Sequence, residues 1–385
     1  MDDDWQNGGF GIYLHWPFCQ SKCPYCDFNS HVTANIDQDQ WETAYLSEIA
    51  RYAREFPQRI VNSVFFGGGT PSLMNPALVS RIIDAISREW RLTNDVEVTL
   101  EANPNSVESD RFRGFRAAGV NRISVGVQAL NDADLKRLGR LHSAREALTA
   151  IETAQDVFDR ISLDLIYARQ FQTFEDWRAE LATALALGTD HLSLYQLTIE
   201  DGTAFGKRHT AGNLPGLPDD DTAADMFALT QEMTERAGFA AYEISNHASP
   251  GAESRHNKIY WSGGDYVGIG PGAHGRLSHN GGRFATETAL LPGAWLASVD
   301  VGNGESLRTR LTSNENAEEY LMMGLRVNEG ISLTRLHKLD ASLSISQNIP
   351  GLKDQGLVWC KDDRLGVTSK GRIILNAVIR ELVSG

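Results

Sequence analysis

Three cysteines fall within eight residues, Cys19, Cys23 and Cys26 in Tyr13-Leu14-His15-Trp16-Pro17-Phe18-Cys19-Gln20-Ser21-Lys22-Cys23-Pro24-Tyr25-Cys26, and the chain has only one other, Cys360. Packing explains so dense a cluster poorly, whereas thiolates at this spacing can converge on one metal centre. Three ligands are one short of four. A [4Fe-4S] cube held by three thiolates keeps one iron open, and an open metal position is where a small molecule is bound and activated, as open zinc sites illustrate. A zinc site completed by His15 or His31 is the rival arrangement, but zinc modules usually bring ligands as two spaced pairs and no second pair exists. A disulfide between such close neighbours would strain its loop, and nothing else indicates an oxidising compartment. Cys360 reads as a buried apolar residue.

Other residues suited to chemistry recur at regular intervals. Gly67-Gly68-Gly69-Thr70-Pro71 removes successive Cβ atoms, so that backbone N–H and C=O groups could approach a polar ligand; taken alone, such a triplet is equally a turn. Glu101 and Asp164 are carboxylates at strand ends. Asp164 lies in a run otherwise so apolar, Ile161-Ser162-Leu163-Asp164-Leu165-Ile166, that it must be buried with a partner.

The elements that position these residues alternate. Six short apolar runs read as strands at 11–15, 63–66, 96–100, 122–126, 161–166 and 191–195. Amphipathic segments near 38–55, 76–90, 106–118, 143–157, 174–187 and 222–237 read as helices. That order predicts an α/β fold built on a parallel sheet, an open, partial (β/α)6 barrel. In such barrels the loops at the carboxyl ends of the strands build the site, and the cysteines, the glycine triplet, Glu101, Gln128 and Asp164 all fall at those ends. The expected division is a barrel over 1–240, an extension over 241–305 whose glycine-rich stretch closes the open side, and a domain over 306–385. The order of elements in that last domain resembles a winged helix.

Composition limits the functions open to such a fold. A formal net charge of −14 argues against a broad nucleic-acid surface. No run of eighteen apolar residues occurs, so an integral membrane protein is not expected, and an N-terminus without signal-peptide character points to the cytoplasm. In the C-terminal segment Lys and Arg nearly balance Asp and Glu, which favours an accessory domain over a DNA-binding one.

Taken together, Cys-x3-Cys-x2-Cys after the first strand and Gly-Gly-Gly-Thr-Pro after the second resemble the radical S-adenosylmethionine (SAM) superfamily. Within it, the chain is similar to the oxygen-independent coproporphyrinogen III oxidase-like family, which holds both oxidases and heme chaperones. The likeness runs through Glu101-Ala102-Asn103-Pro104, Ser124-Val125-Gly126-Val127-Gln128, Arg140-x-His142, Asp164-Leu165-Ile166-Tyr167, Tyr242-Glu243-Ile244-Ser245-Asn246 and His256-Asn257-Lys258-Ile259-Tyr260-Trp261. The resemblance implies a radical SAM barrel with a [4Fe-4S] cluster on Cys19, Cys23 and Cys26. SAM would occupy the open iron, and an electron from the cluster would break its sulfonium bond to give a 5′-deoxyadenosyl radical. It further implies Tyr13 and Tyr25 beside the cluster, Gly68, Gly69 and Thr70 on the methionyl end, and Glu101, Gln128, Arg140 and Asp164 along the nucleoside and sulfonium. The partners implied are an electron donor such as flavodoxin or ferredoxin and a heme-acceptor protein such as a respiratory enzyme.

Two features separate the family's functions. The oxidases carry a fourth cysteine two positions after the third, where this chain has Phe28. The run from His256 to Trp261 resembles the chaperones' heme-binding motif, with His256 as the iron ligand; a loop histidine bonded to its own turn is the alternative. The chain departs from the family at Tyr167-Ala168-Arg169-Gln170-Phe171-Gln172, where Tyr-Gly-Leu-Pro-Gly-Gln is common, and the loss of two glycines predicts an altered turn. A heme chaperone is therefore the leading expectation and an oxidative decarboxylase of coproporphyrinogen the alternative.

Overall fold

A computed structural model describes residues 4–33, 35–105, 108, 110–343 and 345–383. All six expected strands are present and longer than the apolar runs that announce them: β1 (Phe10–Trp16), β2 (Ile60–Gly68), β3 (Arg91–Ala102), β4 (Arg122–Gln128), β5 (Arg160–Tyr167) and β6 (His191–Gln196). They lie side by side in that order and pair in parallel throughout. Between them run α1 (Gln38–Glu55), α2 (Pro76–Glu89), α3 (Phe112–Ala117), α4 (Asp132–Arg137), α5 (Ala144–Gln155) and α6 (Phe174–Leu185), and α7 (Ala204–Thr210) and α8 (Asp220–Arg236) follow β6. Residues 106, 107 and 109, at the start of the helix expected over 106–118, lie outside the described residues. Local chemistry sets the helix starts. Asn75 caps α2 just before Pro76, while Ser143 with Glu146 and Thr173 with Asp176 form capping boxes on α5 and α6.

Side-chain alternation divides each strand between two environments. From β1, Ile12, Leu14 and Trp16 point outward under the helices, and Trp16 packs on Trp41 and Tyr45 of α1 with ring centroids 5.8 and 6.4 Å apart. Most inward residues are polar, Phe65 of β2 being an apolar exception: Tyr13 and His15, Thr99 and Glu101, Arg122 and Ser124, Ser162 and Asp164, His191 and Ser193. An aliphatic filling would leave a solid core; this polar lining instead leaves a chamber.

The barrel is not closed by the glycine-rich stretch. Its strand β9 (Asp265–Ile269) joins β1 in parallel, followed by antiparallel β10 (His274–His279), β11 (Gly282–Thr288) and β12 (Glu305–Arg310), so it lengthens that edge of the sheet. At the other edge β8 (Asn246–Ala248) lies between β6 and the short β7 (Ala240–Ala241). The sheet thus has twelve strands with two free ends among the described residues. What closes the chamber is α9 (Arg255–Trp261), which seals its floor by packing on β1, β2 and β9.

Residues from Ala317 to Leu382 form a second apolar core around a three-stranded sheet of Ile331–Ser332, Arg364–Val367 and Val358–Lys361. Arg335 ties this unit to the barrel through the Asp4 carboxylate and the carbonyls of Ser262 and Gly263. No described helix is long and apolar enough to cross a membrane.

Candidate functional site

The loops after the strands enclose a cavity of about 450 Å3. Cys19, Cys23, Tyr25 and Cys26 line it from the loop after β1, and Gly68, Gly69 and Thr70 line it from the end of β2 and the turn after it. Glu101, Gln128 and Asp164 come from the ends of β3, β4 and β5, and Arg140 from the loop after α4. Every expected site residue except Tyr13 and His256 therefore reaches one cavity.

The thiols are half-buried and unoxidised. Among the described residues no three Cys, His, Asp or Glu side chains stand close enough together to hold one metal ion. Both nitrogens of His15, the rival fourth ligand, are engaged, Nδ1 with the Tyr13 hydroxyl at 3.0 Å and Nε2 with the Asn29 carbonyl at 2.8 Å. The loop is held from two sides. Thr70 Oγ1 donates to Cys19 Sγ and Arg140 Nη1 to Cys23 Sγ, each at 3.4 Å, and Arg140 Nη2 reaches Asn103 Oδ1 at 2.5 Å and the Gly126 carbonyl at 2.9 Å. Burial raises the Cys19 and Cys26 pKa values, which a metal would reverse by selecting the thiolates.

The glycine triplet serves packing as well as access. Gly68 has φ +109°, and a Cβ there would sit 2.7 Å from the His15 ring; at Gly69 it would sit 2.7 Å from the Phe18 carbonyl oxygen. The chain entering the cysteine loop thus runs directly against bare backbone.

Deeper in the chamber two carboxyls face each other electrostatically. Burial and the nearby charge of Asp164 push Glu101 up to about 8. Asp164 is also raised by burial, but Ser124 Oγ reaches both its oxygens, at 3.2 and 3.1 Å, and Ser162 Oγ reaches Oδ1 at 3.1 Å. Hydroxyl donors favour the charged form, so Asp164 is the ionised member of the pair and Glu101 the protonated one.

Tyr13 and His256 lie one layer lower. The His256 imidazole stacks on Phe65 at 4.1 Å and Tyr13 at 5.7 Å between centroids, with Tyr260 edge-on at 4.4 Å. Burial, helped by Arg122, lowers its pKa to about 3, and its Nδ1 has no hydrogen-bond partner. It is a floor residue on α9 and not among the side chains that line the cavity, and Phe65 and Tyr13 stack on its ring.

The divergent segment after β5 keeps a tight turn without the glycines. Ala168 and Phe171 adopt φ of 56° and 62°, the left-handed region that glycine favours. Between them Arg169 is buried in a triad with Asp134 and Glu180, its Nη2 2.7 Å from each. Sequence reasoning also passed over individual residues that the structure brings in. Asn103 links Thr70 to Arg140, and Ser124 and Ser162 hold Asp164; the signals were the motifs that contain Asn103 and Ser124 and the alternation of Ser162 with apolar residues along its strand.

Residues 13–184 match the Radical SAM superfamily and residues 311–374 the HemN C-terminal domain. Radical S-adenosyl methionine domain-containing protein 1, mitochondrial, from Bos taurus is 39% identical, covering 97% of this chain and 87% of its own. Heme chaperone HemW of Mycobacterium tuberculosis is 36% identical over 97% of this chain and 95% of its own, and that of Escherichia coli 42% over 72% of each. In structure, the radical SAM enzyme coproporphyrinogen III oxidase (HemN) of Escherichia coli superposes with a TM-score of 0.82 over 99% of this chain and 92% of that one, at 22% identity, which shows a shared fold. Identity of this level along nearly the whole length places the family beyond the fold, and the chain belongs to the radical SAM superfamily, in the group that includes the heme chaperone HemW.

Proposed function

We propose that this protein is a heme chaperone that carries a [4Fe-4S] cluster on Cys19, Cys23 and Cys26 with exchangeable SAM in the adjoining cavity, and passes heme to an acceptor protein in the cytoplasm. The observation that carries this reading is the end-to-end likeness to proteins named heme chaperone HemW. Phe28 supports it, because this exposed side chain lines the cavity where the oxidase pattern has a fourth cysteine.

When bound, a reduced cluster and SAM supply one-electron, radical-forming chemistry. The chain's own residues bind and orient. Thr70 and Arg140 fix two of the sulfurs, Gly68 and Gly69 leave room for a polar ligand against bare backbone, and protonated Glu101 offers a donor beside the Asp164 acceptor. Heme ligation by His256 is part of the same proposal: stacking on Phe65 and Tyr13 covers the faces of the imidazole, whereas a metal is ligated through a nitrogen at the ring edge.

Anaerobic heme titration followed at the Soret band tests this reading with the unmodified protein and His256→Phe, which keeps the aromatic stack and removes the ligating nitrogen. Saturable one-to-one binding that weakens at least about tenfold in the variant is expected. Equal binding by both proteins would move the ligand elsewhere. Absent heme binding together with anaerobic decarboxylation of coproporphyrinogen III by the reconstituted protein would replace the chaperone with the oxidase.

A further inference from the structure

Ser162, one of the serines on Asp164, is itself held from below. Ser162 Oγ lies 2.8 Å from His191 Nδ1, and His191 Nε2 lies 2.9 Å from the Tyr242 hydroxyl. That hydroxyl meets the backbone nitrogen of Ser254 and the side-chain amide nitrogen of Asn257, both at 3.3 Å. Ser162 and His191 are fully buried and Tyr242 is 6% exposed, so solvent does not compete within the series. Asn257 and Ser254 belong to the first turn and cap of α9, so the series runs from the cavity to the floor.

One arrangement of protons satisfies every member. The Ser254 N–H is a donor without choice and the Asn257 amide nitrogen faces the same oxygen, so they occupy the Tyr242 oxygen lone pairs and its single proton points to His191 Nε2. Burial and the charge of Arg122 hold the His191 pKa well below its usual range, so the ring is neutral. Its one proton is then on Nδ1 and donates to Ser162 Oγ, which frees the Ser162 hydroxyl proton for Asp164. The direction of donation is fixed from floor to cavity.

We propose that His191 is a positioning residue: held in one tautomer by Tyr242 and acting through Ser162, it orients the Asp164 carboxylate so that its remaining lone pairs face the cavity. The group bound there must then be a hydrogen-bond donor, such as a hydroxyl of the SAM ribose. This inference rests on the reading that the cavity takes SAM. It accounts for the polarity of two inward strand positions, Ser162 and His191, where an aliphatic barrel filling would be expected. It also gives Tyr242 and Asn257, each within a motif of the family, a task away from any ligand.

The test uses the full chain, anaerobically reconstituted, as wild type, His191→Phe, Tyr242→Phe, Asp164→Ala and the double variant His191→Phe/Asp164→Ala. SAM affinity is measured by equilibrium dialysis, and the electron paramagnetic resonance signal of the reduced cluster is recorded with and without SAM. His191→Phe is expected to weaken SAM at least tenfold and Tyr242→Phe about threefold, with the SAM-free cluster signal unchanged. In the Asp164→Ala background, His191→Phe should add less than twofold, because the carboxylate it positions is gone. Wild-type affinity in both His191→Phe and Tyr242→Phe, or a His191→Phe loss that adds in full to that of Asp164→Ala, would overturn the inference while leaving SAM binding intact. A wild type that binds no SAM would instead remove the reading on which it rests, and the inference with it. If His191→Phe does not fold, Tyr242→Phe, which lacks only one hydroxyl, runs the same cycle.

Discussion

Glu101 illustrates how a single side chain carries both stability and binding. Its pKa in the folded protein is about 8, against 4.5 when unperturbed. The unfolded chain therefore releases this proton first, and the stability held by the protonated carboxyl is complete below pH 4.5 and lost as pH rises toward 8. Glu101→Gln keeps the neutral shape and removes the loss, so its unfolding free energy at pH 8 should exceed that of wild type in urea titrations of the cluster-free protein, while SAM affinity falls. Gly69 is the opposite case, a residue defined by what is missing. Gly69→Ala would put a Cβ 2.7 Å from the Phe18 carbonyl oxygen, at the entry to the cysteine loop. Iron content after reconstitution should drop well below that of wild type although every cysteine remains.

At the scale of elements, the turn after β5 shows a conformation outlasting the residues that suit it. With glycine common in the family at both positions, Ala168 and Phe171 still take positive φ, and each costs about 1–2 kcal/mol relative to an unstrained residue. The neighbouring ion triad offsets this. Arg169 bridges Asp134 of α4 and Glu180 of α6, pinning the turn between two helices. Ala168→Gly should raise the urea midpoint by a stability gain of about 1 kcal/mol, net of the greater freedom of glycine in the unfolded chain. Arg169→Ala should cost about 3–5 kcal/mol, because it leaves Asp134 and Glu180 buried without their cation. If both substitutions prove neutral, the turn is not under strain and the triad does not hold it.

Across the whole molecule, buried histidines dominate the response to acid. Burial lowers His142 and His247 to about 4 and His256 to about 3, and holds His15 and His191 below the usual range. Each prefers to be neutral when folded, so each contributes stability present above pH 6.5 and lost as pH falls through its folded value. Five such groups outnumber the three raised carboxyls, Glu101, Asp164 and Asp265, which act in the other sense. Thermal unfolding followed from pH 8 to pH 4 should therefore show a maximum near pH 6.5–7 and a steeper fall on the acid side; a curve flat down to pH 4 would mean that the floor histidines are solvated.

Much of this architecture was legible in the chain because its signals are local. Strand and helix periodicity, capping residues and the Cys-x3-Cys-x2-Cys spacing depend on near neighbours, and they located six strands, the loops that bear the site and the three thiols. The cavity lining followed for the same reason, since the carboxyl ends of parallel strands share one face. What required the folded molecule were contacts between residues far apart in sequence. The motif offers His256 as a ligand, but its place in the floor, stacked on Phe65 and Tyr13, is set by partners some 190 and 240 positions away. The glycine-rich stretch reads as a closure, yet backbone pairing with β1 turns it into a sheet extension. The Asp164, Ser162, His191 and Tyr242 series joins three separate segments of the chain. Residue type and spacing determined which chemistry this protein is equipped for; tertiary packing alone decided which side chains face the cavity and which hold the others in place, because desolvation and hydrogen-bond direction exist only once distant segments meet.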